Sequence, residues 1–286
     1  MKRITVTVAA AAATIFLSLA GQASAQCVEK IQEAGVIRVG VGLMGLKPFI
    51  WQEPDGSYTG FEKEIADYIA GELGVTTEYV VTEWTTLIPG LKSDRWDVIL
   101  SGMSKTQERI QGGGIEFSNP YFLIFDRVIV LEDSPIQSVE DLDGKVLAST
   151  LGTMDSLVAH SLVDQGLAES VMDFNTFGEP FLALRNEQVD AVVMDETTYL
   201  AQLEEMPDLR VVGEPLYYIP KAEWAEAEES ADYRLGGLGV GVRQECTDLK
   251  AAVDQALADM AADGTREEIL RKYDIWSDEQ INLMKN

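Results

Sequence analysis

Residues 84–121 have the sequence WTTLIPGLKSDRWDVILSGMSKTQERIQGGGIEFSNPY, and this stretch decides the fold. The mostly apolar run 96–100 predicts a short buried strand, which ends at the small polar residues 101–104. Thr106 is a suitable N-cap for the segment that follows, and Arg109 lies one helical turn inside it. Open α/β sheets bind small polar ligands at such loops, where hydroxyls and an arginine meet the carboxyl end of a strand.

Strands and helices alternate on both sides of this stretch. Residues 37–41 and 77–81 predict strands around a helix at Phe61–Leu73, where apolar residues recur with a helical period. The second half repeats the pattern, with strands at 146–150 and 189–194 around another helix. This alternation predicts an α/β protein of two lobes, each a sheet flanked by helices, with a ligand cleft between the lobes.

Two segments connect the predicted lobes. Residues 122–131 are apolar and β-branched apart from Asp126 and Arg127, which suits a strand that crosses into the second lobe. Residues 217–235 are acidic and rich in alanine, and they predict a solvated surface on the second lobe. A strand at 239–242 then returns the chain to the first lobe.

The first 25 residues are typical of a signal peptide. Two basic residues precede a short apolar run, and residues 23–25 form the Ala-Ser-Ala pattern that a signal peptidase cuts. We therefore predict cleavage after Ala25 and export to the periplasm. A membrane anchor is one alternative, but the apolar run is short and broken by Thr and Ser. A lipoprotein is another, but Gln26 precedes Cys27 where a lipidation signal needs a small residue.

The chain of 286 residues is strongly acidic, with 48 Asp and Glu against 22 Lys and Arg and a formal net charge of −26. This charge argues against nucleic acid and anionic membranes as partners, and it is better explained by a solvated surface than by a cationic ligand. His160 is the only histidine, and no cluster of Cys and His exists in the sequence. We therefore predict neither a metal site nor a cofactor.

The order and spacing of several motifs carry a resemblance to a known family. These motifs are Trp84, Pro89-Gly90-Leu91, Asp97, Ser101-Gly102-Met103-Ser104, Arg109, Asp190-Ala191-Val192, Asp195 and Asp263-Gly264-Thr265. Together they resemble the amino-acid-type periplasmic solute-binding proteins of ABC importers, and they are also similar to the ligand domains of ionotropic glutamate receptors. The likeness covers most of the mature chain.

The resemblance implies a type II periplasmic-binding-protein fold. Its first lobe would comprise residues 26–123 and 239–286, and its second lobe residues 124–238. The lobes would close on a small zwitterion by hinge bending, and a membrane permease would then recognise the closed, monomeric protein.

A ligand site in the cleft is also implied. Arg109 matches the family arginine that holds the α-carboxylate of an amino acid, a task that suits the fixed fork of a guanidinium. Asp195 matches the aspartate that binds the α-ammonium, although it could instead cap the following helix. The implied ligand-binding residues are Phe49, Trp84, Ser101, Gly102, Met103, Ser104, Arg109, Thr150, Gly152, Thr153, Met154 and Asp195.

Some specificity positions depart from those of basic amino acid binders. Gly42 stands where an acidic residue often meets a polar or basic ligand side chain, and Met154 replaces a common small hydroxyl residue. These departures favour an apolar, aromatic or modified amino acid, or a compatible solute such as ectoine, over lysine, arginine or histidine.

Cys27 and Cys246 are the only cysteines. By the family pattern both lie in the first lobe, and an oxidising periplasm permits them to pair. The resemblance therefore implies a disulfide that joins the two ends of this lobe.

We predict a binding protein and not an enzyme, because the sequence contains no recognisable pair of nucleophile and base. The alternative is an enzyme on the same scaffold, since the related cyclohexadienyl dehydratases eliminate water and carbon dioxide from a prephenate-like acid. Glu196 or Asp155 would then be the candidate general acid. A sensory or structural ectodomain is a third class, and it would usually be fused to membrane or signalling segments.

Overall fold

The computed structural model describes residues 26–42, 45–234 and 236–284. The predicted signal peptide, with its cleavage after Ala25, lies outside these residues. Among the helices described, none is long and apolar enough to cross a membrane.

Helices and strands alternate along the described chain. The strands are β1 (Val36–Val41), β2 (Trp51–Gln52), β3 (Tyr58–Thr59), β4 (Thr76–Val81), β5 (Val98–Ile99), β6 (Ile115–Leu123), β7 (Asp126–Leu131), β8 (Val146–Thr150), β9 (Ser170–Phe174), β10 (Ala191–Asp195), β11 (Leu209–Leu216) and β12 (Gly237–Arg243). The helices are α1 (Cys27–Ala34), α2 (Phe61–Leu73), α3 (Leu87–Lys92), α4 (Met154–Asp164), α5 (Glu179–Arg185), α6 (Glu196–Gln202), α7 (Ala225–Ser230), α8 (Thr247–Ala262) and α9 (Thr265–Lys272).

Two five-stranded sheets organise the molecule. The first has the order β4, β1, β5, β12, β6, and the second has the order β11, β7, β10, β8, β9. In each sheet three neighbouring strands that reach one edge pair in parallel, namely β4, β1 and β5 in the first and β9, β8 and β10 in the second. The other two strands of each sheet make antiparallel pairs towards the opposite edge. We call each sheet with its packed helices the first and the second lobe. The predicted α/β architecture of two sheets flanked by helices is confirmed.

Trp96 fixes the stretch 84–121 against the first sheet. Its buried indole Nε1 donates a hydrogen bond to the carbonyl oxygen of Leu87 at 3.1 Å. The ring lies so close to Gly40 in β1 and Gly90 in α3 that a Cβ there would stand 2.7 Å and 2.0 Å from ring atoms. The absence of side chains at these glycines therefore lets β1, α3 and Trp96 pack together, which positions the loop after β5.

The chain crosses between the sheets at two places. Residues 124–125 join β6 to β7, so the run 122–131 contributes to two strands in different sheets. The return connection lies between β11 and β12 and contains α7. The first crossing runs directly beside the cleft, because Ile124 lines the cavity described below.

Helix α7 packs on the first lobe, and this corrects the expectation that residues 217–235 form a solvated surface of the second lobe. Glu228 is only 1% exposed, and its Oε1 accepts a hydrogen bond from the backbone N–H of Gln107 at 2.6 Å. The Tyr233 hydroxyl donates to Glu228 Oε2 at 2.8 Å, and its ring lies 4.5 Å from Lys105 Nζ. Composition did not indicate these contacts, because most carboxylates of the segment are not buried and only Glu228 packs against the first lobe.

The predicted disulfide is confirmed. Cys27 and Cys246 are bonded, with their Cα atoms 5.6 Å apart and a sequence separation of 219. The backbone N–H of Val28 also donates to Asp248 Oδ2 at 3.0 Å. These contacts join the start of α1 to the start of α8 within the first lobe.

Candidate functional site

The loop after β5 supplies the first wall of the candidate site. Gly102 has a φ of +62°, which glycine adopts without strain. Its backbone N–H donates to Glu62 Oε1 at 2.6 Å, which ties the loop to the first turn of α2. Ser104 is 1% exposed and bridges to Leu238 in β12. The loop is therefore fixed on both sides.

Arg109 holds its guanidinium between the two lobes. Its backbone N–H donates to Thr106 Oγ1 at 3.2 Å, so Thr106 caps this turn as the sequence predicts. Nη1 donates to the carbonyl oxygen of Ser104 at 2.5 Å, and Nη2 donates to that of Gly152, in the second lobe, at 3.2 Å. The guanidinium carbon lies 5.9 Å from the centre of the Trp84 ring.

Among the described residues, no carboxylate oxygen lies within 4.0 Å of a guanidinium nitrogen of Arg109. The residue is 8% exposed, and burial lowers its pKa to about 10, although the negative charge of Asp155 acts to raise it. The group therefore remains cationic at neutral pH. A buried cation that meets only carbonyl oxygens is suited to an anionic ligand group.

The amino end of α4 supplies the opposing wall. Gly152 has a φ of +77°, and its carbonyl oxygen also accepts the Trp84 Nε1–H at 3.1 Å. Thr153 Oγ1 donates to the carbonyl oxygen of Thr150 at 2.7 Å and accepts from the backbone N–H of Ser156 at 3.1 Å. The amino end of a helix favours negative charge, so this wall also suits a carboxylate.

Asp195 ends β10 and faces the same space. It is 4% exposed, and its two oxygens accept hydrogen bonds from the Thr198 backbone N–H at 2.9 Å and the Thr198 hydroxyl at 2.5 Å. Asp195 therefore caps α6 and also lines the cleft, so the two roles weighed from the sequence are compatible. Burial raises its pKa to about 7, and the charge of Asp155 is the second cause. A ligand cation beside it would favour the ionised form.

These walls enclose a cavity of about 20 Å³ between the lobes. Its lining residues are Phe49, Trp84, Gly102, Ser104, Ile124, Thr153, Met154, Asp155, Phe177, Asp195 and Thr198. Such a volume holds about one water molecule, so the lobes stand closed and must separate before an amino acid can enter. A wider groove of about 400 Å³ lies outside the Trp84 and Phe177 rings, which meet edge to face at 5.5 Å.

The cavity brings together many of the residues implied by the family resemblance. The predicted residues that line it are Phe49, Trp84, Gly102, Ser104, Thr153, Met154 and Asp195. Arg109 and Gly152 do not line it in this closed arrangement, but each contacts lining residues through the hydrogen bonds given above. Their roles in ligand binding remain predictions.

Three predicted residues lie off the cavity. Ser101 Oγ accepts the backbone N–H of Gly42 at 2.8 Å, and Met103 is buried in the core of the first lobe. Thr150 Oγ1 donates to the carbonyl oxygen of Thr176 at 3.4 Å. These side chains support the walls in this structure and do not face the cavity.

Four lining residues lie outside the predicted ligand-binding set, and one of them, Asp155, was considered only as a general acid in the enzyme alternative. The other three were not predicted from the sequence. Ile124 lies in the crossing after β6, Phe177 lies in the loop after β9, and Thr198 lies one helical turn after Asp195. Thr198 could have been found from its spacing to Asp195, because that spacing is typical of a cap. Phe177 follows the end of a strand at the same sheet edge, but no motif marks it.

The arrangement offers a cation and an anion within one apolar, closed cleft. Asp195 can pair with an ammonium, Arg109 and the amino end of α4 can hold a carboxylate, and Trp84 with Phe177 can cover the rest of a small molecule. This set of groups is suited to binding a zwitterion without a covalent step.

Comparison with known proteins supports a family assignment. The model of the bacterial extracellular solute-binding proteins, family 3, matches residues 37–275. The L-cystine-binding protein of Escherichia coli K12 is 30% identical over 253 residues, which cover 85% of this chain and 84% of that protein. The histidine-binding periplasmic protein of the same strain is 26% identical over 230 residues, with coverages of 79% and 83%.

Solved structures show the same likeness. An ancestral arginine-binding protein bound to arginine matches with a TM-score of 0.70 and 29% identity, over 84% of this chain and 98% of that chain. An ancestral amino acid-binding protein described as a precursor of cyclohexadienyl dehydratase also gives 0.70, with 27% identity and coverages of 86% and 98%. These matches extend over both lobes and confirm the two-lobed fold.

Proposed function

The chain belongs to the bacterial extracellular solute-binding proteins of family 3, and we propose that it captures a small amino acid or amino-acid-like zwitterion for an ABC importer. Relatives are named for cystine, histidine and arginine, which supports amino acids as the class of ligand. The observation that carries the proposal is the buried Arg109, without a carboxylate partner among the described residues, in a cleft that also holds Asp195.

The ligand's head group would take the place of contacts within the closed cleft. Its carboxylate would accept both arms of Arg109 and the N–H groups at the amino end of α4, around Thr153. Its ammonium would pair with Asp195 and donate to the Gly102 carbonyl and the Ser104 hydroxyl. Each charged group of the ligand would thus meet an opposite charge in a dry site.

Closure would follow from contacts that only the closed lobes can make. Trp84 and Arg109 of the first lobe both reach the Gly152 carbonyl of the second. A ligand held by Arg109 and Asp195 contacts both lobes at once, so its binding shifts the population towards the closed form. We place the hinge in residues 124–125 and in the return connection before β12. The proposed lobes are residues 26–123 with 239–286, and residues 124–238, with the exception that α7 packs on the first lobe and β12 of the first sheet already begins at Gly237.

The cellular role follows from family membership. Members of this family work outside the cytoplasm and deliver their ligands to ABC permeases. We propose that this chain acts in the periplasm as a monomer after cleavage at Ala25, and that its acidic surface does not bind nucleic acid.

A thermal-shift screen of the mature protein tests the proposal. Amino acids, opines, betaines and ectoines are added singly, and a ligand at a hundredfold excess over its dissociation constant should stabilise the protein by ~2.7 kcal/mol. We expect one class of zwitterion to raise the melting temperature. Absence of any shift, with no copurified ligand in a mass spectrum of the denatured protein, would contradict an amino acid binder.

Replacing Asp195 by asparagine should weaken binding of that ligand by more than tenfold, because the ammonium loses its counter-charge. Asparagine can still cap α6, so the fold is retained. Calorimetry measures the effect, and Asp164→Asn, an exposed change in the same lobe, is the control. Equal affinities in the two variants would show that Asp195 does not meet the ammonium.

We also propose that the protein is not an enzyme. The precursor of cyclohexadienyl dehydratase is described as an amino acid-binding protein, so similarity to it does not favour catalysis. Incubation with prephenate or arogenate should give no product, and turnover that depends on Asp155 or Glu196 would overturn this assignment.

A further inference from the structure

The turn that carries Arg109 is too short to be stable by itself. It is a single π-helical turn, Glu108–Gly112, and two more glycines follow at positions 113 and 114. One isolated helical turn is unstable in water, and glycines add backbone freedom. We call residues 105–113 the arginine turn. Contacts from other parts of the molecule must therefore fix its geometry.

Two exposed hydrogen bonds support the carboxyl end of the arginine turn. Lys92 Nζ donates to the carbonyl oxygen of Gly113 at 2.9 Å, and Gln244 Nε2 donates to that of Ile110 at 3.2 Å. Water competes for both bonds because they are exposed, so each contributes little. Both bonds also follow Arg109 in sequence, and they leave the residues before it unsupported.

Glu228, in α7, supports the amino end of the arginine turn from a buried position. Its side chain is 1% exposed, and Oε1 accepts the backbone N–H of Gln107 at 2.6 Å. Oε2 accepts the hydroxyl of Tyr233 at 2.8 Å, and the Tyr233 ring lies 4.5 Å from Lys105 Nζ. A hydrogen bond to a carboxylate is strong where water is excluded. Glu228 therefore fixes the backbone two residues before Arg109.

The segment that precedes Glu228 extends this contact along the arginine turn. Lys221 Nζ lies 2.7 Å from Glu108 Oε1. The Trp224 ring packs beside Gly112, where a Cβ would stand 3.8 Å from the ring. We call residues 221–233 the α7 brace. The brace thus contacts the arginine turn at both of its ends.

The α7 brace and Arg109 belong to the same lobe. The hydrogen bond from Arg109 Nη2 to the Gly152 carbonyl crosses to the second lobe, so it must break when the lobes separate. The hydrogen bond from Gln107 to Glu228 does not cross the cleft, because α7 packs on the first lobe. The brace therefore holds the arginine turn before a ligand arrives. A group that is already in position loses less conformational entropy when it binds.

The α7 brace also favours the charge of Arg109 without occupying its donors. Burial lowers the pKa of Arg109, and Asp155 has the largest of the effects that raise it. The negative charges of Glu108 and Glu228 act in the same direction as Asp155. Among the described residues, no carboxylate oxygen lies within 4.0 Å of the guanidinium. These charges thus stabilise the cation and leave its N–H groups for a ligand.

We propose that Glu228 is a positioning residue for carboxylate binding, which acts through the arginine turn to hold the Arg109 guanidinium in place. The inference rests on the proposed function and deepens it, because Glu228 does not line the cavity. It assigns a role in ligand binding to a segment that the sequence predicted to be only a solvated surface.

An amino acid and its α-amide separate positioning of Arg109 from a general effect on stability. The probe is the standard L-amino acid with the largest shift in the thermal screen, and its α-amide lacks the carboxylate. Calorimetry on the mature wild type should show that the acid binds about tenfold or more tightly than the amide. In Glu228→Ala the Gln107 N–H loses its acceptor, and the ratio of the two affinities should fall about fivefold or more. In Glu226→Ala, an exposed change in the same helix, the ratio should stay as in the wild type.

Two further variants test whether Glu228 acts through Arg109. Glu228→Gln keeps a carbonyl oxygen for the Gln107 N–H and a polar atom for the Tyr233 hydroxyl, so it should recover most of the ratio. In an Arg109→Ala background, Glu228→Ala should cause no further loss of affinity for the acid. Equal weakening of acid and amide in Glu228→Ala, or additive losses in the double variant, would show a merely structural role and overturn the proposal.

Hydrogen exchange of the ligand-free protein tests the brace without a ligand. In Glu228→Ala the backbone amides of residues 107–112 should exchange about tenfold faster, because the local opening of the turn becomes easier. The amides of α8, in the same lobe, should keep their rates. Unchanged exchange in the arginine turn would overturn the inference even if an amino acid binds. If no amino acid of the full screen binds, the proposed function fails and the role in carboxylate binding fails with it, whereas faster exchange would still show that Glu228 holds the turn.

Discussion

Replacing Arg109 by alanine is expected to weaken binding of the amino acid ligand about a hundredfold or more. The guanidinium is buried, donates to carbonyl oxygens of both lobes, and has no carboxylate partner within 4.0 Å among the described residues. Truncating one partner of a buried, hydrogen-bonded charge pair typically costs roughly 2–5 kcal/mol. Calorimetry with the ligand found in the screen measures this loss.

Two further variants separate charge from geometry. Arg109→Lys keeps the positive charge but loses the planar fork, so it should recover only part of the affinity. Arg271→Ala, in α9, removes an exposed arginine that pairs with Glu267 on its own helix, and it should bind as the wild type does. If Arg109→Ala retained its affinity for the ligand within threefold, the ligand carboxylate would not bind at Arg109.

Removing the disulfide with Cys27→Ser and Cys246→Ser should lower the free energy of unfolding by roughly 2–5 kcal/mol. The bond closes a loop of 219 positions, and a cross-link of that length restricts the unfolded chain strongly. Urea unfolding of both proteins measures the difference. The cysteines lie far from the cleft in α1 and before α8, so ligand affinity of the folded double variant should be unchanged.

A reducing agent supplies the control for this experiment. It should destabilise the wild type towards the level of the double variant, and it should leave the double variant as it was. Matching urea midpoints for all samples would show that the bond contributes no stability.

Local sequence chemistry predicted the elements well where one signal dominated. The helix Phe61–Leu73 has the predicted bounds because its apolar period is regular and Gly74, at a φ of +72°, provides the left-handed end. The segment around α7 was misjudged because composition describes an average, whereas packing of this segment depends on the individual residues Glu228 and Tyr233.

The candidate site was predictable in part for a similar reason. Asp195 ends a strand, and Arg109 lies one turn after the loop that follows β5; the structure brings both to the cleft. Asp155 also lines the cavity, but the sequence offered it only as a candidate general acid, because nothing local shows that the first turn of α4 meets the end of β10.

The carbonyl oxygen of Gly152 has a consequence for transport efficiency. It accepts hydrogen bonds from Trp84 and Arg109 across the cleft, and neither contact requires cargo. Some molecules of the binding protein will therefore be closed without a ligand, and these will compete with the ligand-bound molecules for the importer. The Arg109 contact gives way to the ligand, but the Trp84 contact can persist beside it. A stronger Trp84 contact would therefore increase the share of closed molecules without cargo, and a weaker one would lower retention of the ligand.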